Sequence, residues 1–167
     1  MMKKTLLMLI LVFSISVQPV AAFELPSRYL WLDSSDSINY YIDTETIKYQ
    51  RTVDGRIDLD MIDVWLVYTY SDTERNKKVS GLIKKYGISS ERANQLAYEQ
   101  LNFSFKLKRQ EFHCKIVYCV DYEGKTIEEF DTKKGYTSLV PGSIFEKVLR
   151  KINNYVKLHH AEVLDRS

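Results

Sequence analysis

The sequence is poor in three residue types that define many small or modular proteins. It has two cysteines, three prolines and six glycines among 167 residues. With so little glycine and proline, no stretch has the composition of a linker, and we find no internal repeat or low-complexity tract. Beyond the N-terminal segment there is also no second long hydrophobic run. These absences predict one domain of ordinary size with one core.

The N-terminal segment, MMKKTLLMLILVFSISVQPVAAFELP, has the pattern of a secretory signal peptide. Lys3 and Lys4 precede an apolar run that is too short for a membrane span, which needs roughly 20 apolar residues. The small residues Val20 and Ala22 mark a cleavage site. We therefore expect a signal peptide at residues 1–22 and one domain at 23–167. Because no cysteine follows Ala22, we expect an exported protein without a bacterial lipid anchor, secreted, periplasmic or associated with the cell surface.

The charge of the chain excludes one class of partner. Once Lys3 and Lys4 are removed with the signal peptide, the 22 acidic residues are balanced by an equal number of basic ones. A neutral chain lacks the excess of positive charge that general nucleic-acid binding requires. We therefore expect no nucleic-acid partner.

Motifs of reactive chemistry are missing as well. The sequence has no G-x-S-x-G, no glycine loop for phosphate and no serine with an evident base. Asp58 and Asp60 lack the glycine-centred loop of a calcium site, and no metal motif surrounds His159 and His160. We therefore predict no cofactor, no metal and no enzymatic activity. A thiol-dependent enzyme is the weakest hypothesis, because Cys119 has only His113 as a nearby base.

Apolar periodicity predicts an α+β fold, with an antiparallel sheet of about five to six strands. An amphipathic helix follows the long central strand, between the cap Ser71 and Gly87, and a C-terminal helix packs on the sheet. A shift of the apolar phase predicts a bulge near Met61. The last helix carries an apolar stripe, predicted to cover the sheet face that bears Phe103, Phe105, Cys114 and Ile116. The stripe consists of Phe145, Val148, Leu149, Ile152, Val156 and Val163.

Both cysteines lie in the stretch HCKIVYC, which we assign to the second strand of a hairpin. A turn centred on Arg109 and Gln110 pairs Phe105 with Cys114, and places Cys114 in the core. Along one strand, residues five apart are about 16 Å apart and point to opposite faces. A disulfide between Cys114 and Cys119 is therefore excluded, since it needs Cα atoms within about 7 Å. Cys119 is then predicted on the polar face, where it is either shielded by a second layer or available as the candidate for an intermolecular disulfide.

The same hairpin predicts a basic surface. Its outward face carries Lys106, Lys108, His113 and Lys115. This surface is either a site for an acidic partner or an ordinary solvated sheet face. We take it as the candidate partner-binding face.

Four blocks in order along the chain resemble the surface-adhesin protein E family of bacterial secreted and outer-surface proteins. NYYIDTETI at 39–47 is the most specific. The others are DVWLVYTYSD at 63–72, the pair LNFSF and CVDYEGKTIEEFD at 101–105 and 119–131, and LVPGSIFEKV at 139–148. The resemblance implies an antiparallel sheet with a C-terminal helix across it, no enzymatic activity, and attachment to extracellular-matrix proteins such as vitronectin and laminin.

The chain departs from that family in two respects. The resemblance implies a lipid anchor at an N-terminal cysteine and a disulfide that holds the C-terminal helix, and this chain has a cysteine at neither place. Two functions therefore compete: a secreted, non-enzymatic, adhesin-like binding module, and an envelope structural protein that acts through homomeric association as a homodimer. In the second function, Cys119 or a sheet edge forms the contact.

The signal peptide gives the first testable prediction. Export should remove residues 1–22, so intact-mass analysis of secreted or periplasmic material should find a chain that begins at Phe23. Protein that is retained in the membrane with Met1 in place would contradict this prediction.

Overall fold

The computed structural model describes residues 25–167, so the predicted signal peptide and the cleavage site at Phe23 lie outside the described residues. Six strands form one antiparallel sheet in chain order, and a short seventh strand pairs with the fifth. The strands are β1 Tyr29–Ser34, β2 Ile38–Arg51, β3 Ile57–Tyr70, β4 Leu96–Lys106, β5 Glu111–Asp121, β6 Thr126–Asp131 and β7 Thr137–Ser138. The predicted α+β class and antiparallel sheet are confirmed.

The helices begin and end where local signals place them. They are α1 Asp72–Tyr86, α2 Ser90–Ala93, α3 Ile144–Leu158 and α4 His160–Asp165. Ser71 and Ser143 cap α1 and α3 by accepting hydrogen bonds from backbone N–H groups in the first turns. Gly87 ends α1 with φ 70°, a left-handed conformation that glycine adopts without strain.

The helices cover one face of the sheet, which we call the helix face. α3 and α4 pack on β1 to β4 and form the larger core, in which Ile62, Phe105 and Ile152 are fully buried. α1 and α2 pack on the remaining part of the same face, where Val79 and Leu82 contact a smaller cluster. The C-terminal helix therefore lies on the sheet as predicted.

A bulge in β5 decides which of its residues reach the helix face. Asn102 pairs with Ile116, but the next residue, Phe103, pairs with Cys114, so Lys115 is an extra residue in β5. The bulge reverses the alternation, so Cys114 and Cys119 lie on the same face and Ile116 lies on the opposite one. The prediction that the cysteines face opposite ways is wrong, and so is the placement of Ile116 under the C-terminal helix.

The predicted hairpin register is wrong by two residues. Phe105 pairs with Phe112, not with Cys114, because the turn spans residues 107–110 and closes one residue earlier than expected. Leu107 instead donates its N–H to the carbonyl of Asp60, 2.8 Å away on β3. The irregularity predicted near Met61 is confirmed, because the pairing of β2 jumps from Ile62 to Asp58 there.

The predicted C-terminal helix consists of two helices, α3 and α4. The helical conformation is interrupted between them at His159, whose φ is −121°. The break lets α4 turn toward β2, where Val163 is fully buried. Polar contacts hold α3 and the residues that follow α4 to β1 and β2. Lys147 pairs with Asp33, Arg166 donates to the carbonyl of Thr44 at 2.8 Å, and Ser167 Oγ accepts from the N–H of Tyr49 at 2.8 Å.

The packing of α3 can be tested by truncating one of its side chains. Leu149 is 6% exposed in the larger core, so Leu149→Ala should lower the free energy of unfolding by about 2–5 kcal/mol. Leu158→Ala on the same helix is the control, because Leu158 is 81% exposed and should change stability by less than about 0.5 kcal/mol. Equal, small effects of both variants in denaturant titrations would contradict the docking of α3.

Candidate binding site on the open sheet face

The face of the sheet opposite the helices, which we call the open face, contains a cleft of about 730 Å³. Its floor is formed by side chains that alternate with the core residues of three neighbouring strands. These are Asp63 and Trp65 of β3, Asn102 of β4, and Lys115 and Ile116 of β5. The β5 bulge turns both Lys115 and Ile116 toward this face.

An aromatic stack lies at the cleft. The rings of Trp65 and Tyr118 are nearly parallel, at 13°, with centroids 5.4 Å apart. Both residues are half-buried, so part of the stack meets solvent. The backbone N–H of Trp65 donates to Thr46 Oγ1 at 3.0 Å, where the pairing of β2 with β3 is interrupted. The stack is therefore a fixed apolar platform, as aromatic pairs at this separation are favourable.

A polar network lies beside the stack, centred on the carboxylate of Asp63. Lys115 Nζ is 2.8 Å from both of its oxygens, and Gln50 Nε2 donates to one of them at 2.6 Å. Ser104 donates to the same oxygen. The side chain of Asp63 is 16% exposed, so this pair is better shielded than a surface salt bridge. The network fixes Lys115 against the floor of the cleft.

The rim of the cleft carries charges of both signs. Glu45, Glu129 and Asp131 supply carboxylates, and Lys48 and Arg166 supply positive charge. Arg166 is oriented by its hydrogen bond to the carbonyl of Thr44. The surface is therefore mixed in charge and suits a partner with complementary groups rather than a simple polyanion.

The four residues of the predicted basic face have different partners, although Lys106 and His113 both lie against the ring of Tyr136. Lys106 pairs with Glu111 at 3.2 Å and lies 3.7 Å from the centroid of the Tyr136 ring. Lys115 pairs with Asp63, and Lys108 is exposed in the turn between β4 and β5. Three of the four lie on the open-face side, but only Lys115 lines the cleft. The prediction of a partner-binding face at these residues stays a prediction.

His113, the fourth residue, lies on the same side of β5, and its ring centroid is 5.5 Å from that of Tyr136. Its Nδ1 atom is buried and has no hydrogen-bond partner among the described residues. Sequence reasoning missed Trp65 and Arg166, which line the cleft, and Tyr118, which stacks on Trp65. One pattern in the sequence bears on Trp65: the second half of β3 is apolar on both faces. That pattern predicted that Trp65 is covered by other elements, not that it lines a cleft.

Cys119 is buried under α1 and is 1% exposed, so its predicted place on the polar face is wrong. Its sulfur lies 3.9 Å from a carboxylate oxygen of Glu99. Burial first, and then the charge of Glu99, raises the pKa of the Cys119 thiol to about 12. An intermolecular disulfide through Cys119 would therefore require α1 to move aside, and such a disulfide stays an untested prediction.

Both cysteines are free thiols, and Cys114 is half-buried. Burial raises the pKa of Cys114 to about 11, so both thiols stay protonated near neutral pH. Because the thiolate is the nucleophile, this environment argues against a thiol-dependent enzyme. In the described part of the chain, no group of three or more His, Cys, Asp or Glu is placed to hold a metal ion.

The different burial of the two thiols gives a testable prediction. Alkylation of the native protein at pH 8, followed by mass mapping, should label half-buried Cys114 before Cys119, which α1 covers. Both should react at similar rates in denaturant. Faster labelling of Cys119 in the native protein would contradict the position of α1.

Comparison with known proteins gives two solved structures and no sequence match: no family model and no curated protein matches the chain. The structure of Haemophilus influenzae protein E is 15% identical, with a TM-score of 0.47, and the match covers 81% of this chain and 91% of that one. A second crystal form of the same protein is 16% identical, with a TM-score of 0.47 and coverage of 80% and 93%. Within residues 25–167, no helix has the length and apolar character that a membrane crossing needs.

Proposed function

We propose that the protein is an exported, non-enzymatic, adhesin-like module that binds a surface or extracellular-matrix protein through the cleft of the open face. One observation carries the proposal: half-buried Trp65, held by its stack on Tyr118, lines a cleft of about 730 Å³ with a charged rim. Protein interfaces concentrate their binding energy in Trp, Tyr and Arg side chains that become fully desolvated on binding.

The charges of the cleft support a protein partner over a small anion. Lys115 is already neutralised by Asp63 at 2.8 Å, so it offers little free charge to a ligand. The exposed acids Glu129 and Asp131 lie on β6, at one edge of the cleft, whereas Lys48 and Arg166 come from β2 and the C-terminal end. A partner must therefore present charges of both signs at matching positions, which favours specificity.

The sequence resemblance to the surface-adhesin protein E family supports the choice of matrix proteins as first partners to test. Vitronectin and laminin are the candidates that this resemblance implies. The thiols support the non-enzymatic part of the proposal, because burial keeps Cys114 and Cys119 protonated and poorly nucleophilic.

Homomeric association is a second candidate function, and the edge strand β1 favours it. Leu30 is 38% exposed and Trp31 is 53% exposed there. An edge strand with unpaired backbone groups and exposed apolar side chains is a site for pairing with another chain. The buried position of Cys119 leaves this edge as the better contact of the two that the sequence suggested.

The primary function is tested by binding of the exported chain to immobilised vitronectin and laminin. Trp65→Ala should weaken saturable binding by tenfold or more, since central aromatic anchors contribute about 2 kcal/mol or more. The double variant Glu129→Lys with Asp131→Lys reverses two exposed rim charges and should weaken binding without loss of fold. Tyr122→Ala and Glu123→Lys, both in the exposed turn after β5, are the matched controls.

The outcomes separate the two candidate functions. Unchanged affinity in both cleft variants, with folding verified by thermal unfolding, would reject the cleft as the binding site. Self-association that rises with concentration in light scattering without ligand, and that Trp31→Arg abolishes, would favour homomeric association through β1.

A further inference from the structure

A second cavity, of about 580 Å³, lies on the helix face, where the two core clusters meet beneath α1. Its volume is in the usual range for sites that bind small molecules. Most of its walls are apolar or aromatic, and they come from α1, β3, β4, β5 and β6. The main wall residues are Tyr68, Leu82, Tyr86, Leu101, Val117 and Phe130.

An ion pair between a half-buried lysine and a buried glutamate lies in this cavity. Glu99 of β4 is 7% exposed, and both of its carboxylate oxygens accept from Lys78 Nζ of α1, at 3.1 and 3.2 Å. The same Nζ lies 5.2 Å from the centroid of the Tyr70 ring. The ammonium group of Lys78 thus lies between a carboxylate and an aromatic face. The carboxylate stabilises a cation by charge-assisted hydrogen bonds, and the ring stabilises it by a cation–π interaction.

The two partners of this pair differ in how firmly they are held. Glu99 lies in a central part of the sheet, paired with Tyr68 on one side and Cys119 on the other. The side chain of Lys78 is 37% exposed, against 9% for Glu99, and its long stem leaves from a helix surface. Lys78 can therefore move into water when another cation takes its place beside Glu99, whereas Glu99 cannot leave the cavity.

This asymmetry selects the charge of a ligand. A ligand ammonium that displaces Lys78 leaves Glu99 paired, and the lysine regains its hydration. A ligand anion would instead compete with Glu99 for Lys78, and an unpaired buried carboxylate costs several kcal/mol. Tyr70 adds no opposing charge, because burial first and the nearby Glu99 second raise its pKa, so the phenol stays neutral.

We propose that this cavity binds a small organic ammonium ion, a primary amine attached to an apolar body about the size of one aromatic ring. The ammonium takes the place of Lys78 Nζ, between Glu99 and the Tyr70 ring. The apolar body fills the space between α1 and the sheet, against Leu82, Leu101 and Phe130. The site is on the face opposite the proposed protein-binding cleft, so the two proposals stand or fall separately.

The test compares, on the full exported chain, three probes that share a phenylethyl group and differ in the head group. 2-Phenylethylamine, 2-phenylethanol and 3-phenylpropionate are titrated by calorimetry and by thermal shift. The amine should bind at least tenfold more tightly than the neutral alcohol, and the anion should bind most weakly. Equal affinities for the amine and the alcohol, or tighter binding of the anion, would overturn the proposal.

Variants identify the site. Lys78→Met removes the competing ammonium, so the protein should lose stability, bind the amine at least tenfold more tightly and regain stability when the amine is added. Lys84→Met, in the last turn of the same helix, is the control and should behave like the parent protein, because Lys84 is exposed and does not line the cavity. Glu99→Gln should remove the preference for the amine over the alcohol. Amine binding that is unchanged in both Lys78→Met and Glu99→Gln would place any bound amine elsewhere and refute the site.

Discussion

The bulge at Lys115 is the constraint on which the two surfaces of the sheet depend. Without the extra residue, Cys119 and Val117 would point away from α1, and Ile116 and Tyr118 would point into the helix face. With it, β5 supplies apolar residues to the helices at both of its ends and still presents Tyr118 to the Trp65 ring. The salt bridge from Lys115 to Asp63, two strands away, holds the bulged residue in place at 2.8 Å.

The placement of all four helices on one face leaves the other face without a helix. Part of that face is covered by a small cluster in which Val67 and Val120 are buried against Leu25 and Tyr29, and the cleft lies on the part that stays open. α3 and α4 cover the half of the sheet near β1 and β2, and α1 with α2 covers the half near β5 and β6. The seam between these pairs holds the cavity with Lys78 and Glu99, whose walls are mostly apolar or aromatic. The cleft of the open face is lined mainly by polar and charged side chains. The two surfaces of the sheet therefore differ in the chemistry of their linings.

Sequence alone predicts the features that local chemistry controls. Ser71, Gly87 and Ser143 mark helix ends because their side chains or backbone preferences act within a few residues. The bulge at Lys115 was hidden, since residues 112–120 alternate well enough to fit an unbroken strand and the adjacent Ile116 and Val117 are both apolar. The cleft was hidden for a related reason. Asp63, Asn102 and Lys115 come from three strands, and only the pairing register, which depends on distant contacts, brings them together.

The polar contacts between the end of the chain and its first strands have a consequence for the order of folding. Asp33 and Lys147 are 114 residues apart, and Tyr49 and Ser167 are 118 apart. The hairpins of the sheet are local and form early, but the larger core stays without its cover until α3 and α4 are available. A chain that is still being synthesised from its N-terminus therefore exposes Phe103 and Phe105 until α3 and α4 have emerged. Over that interval the uncovered apolar face of the sheet favours aggregation.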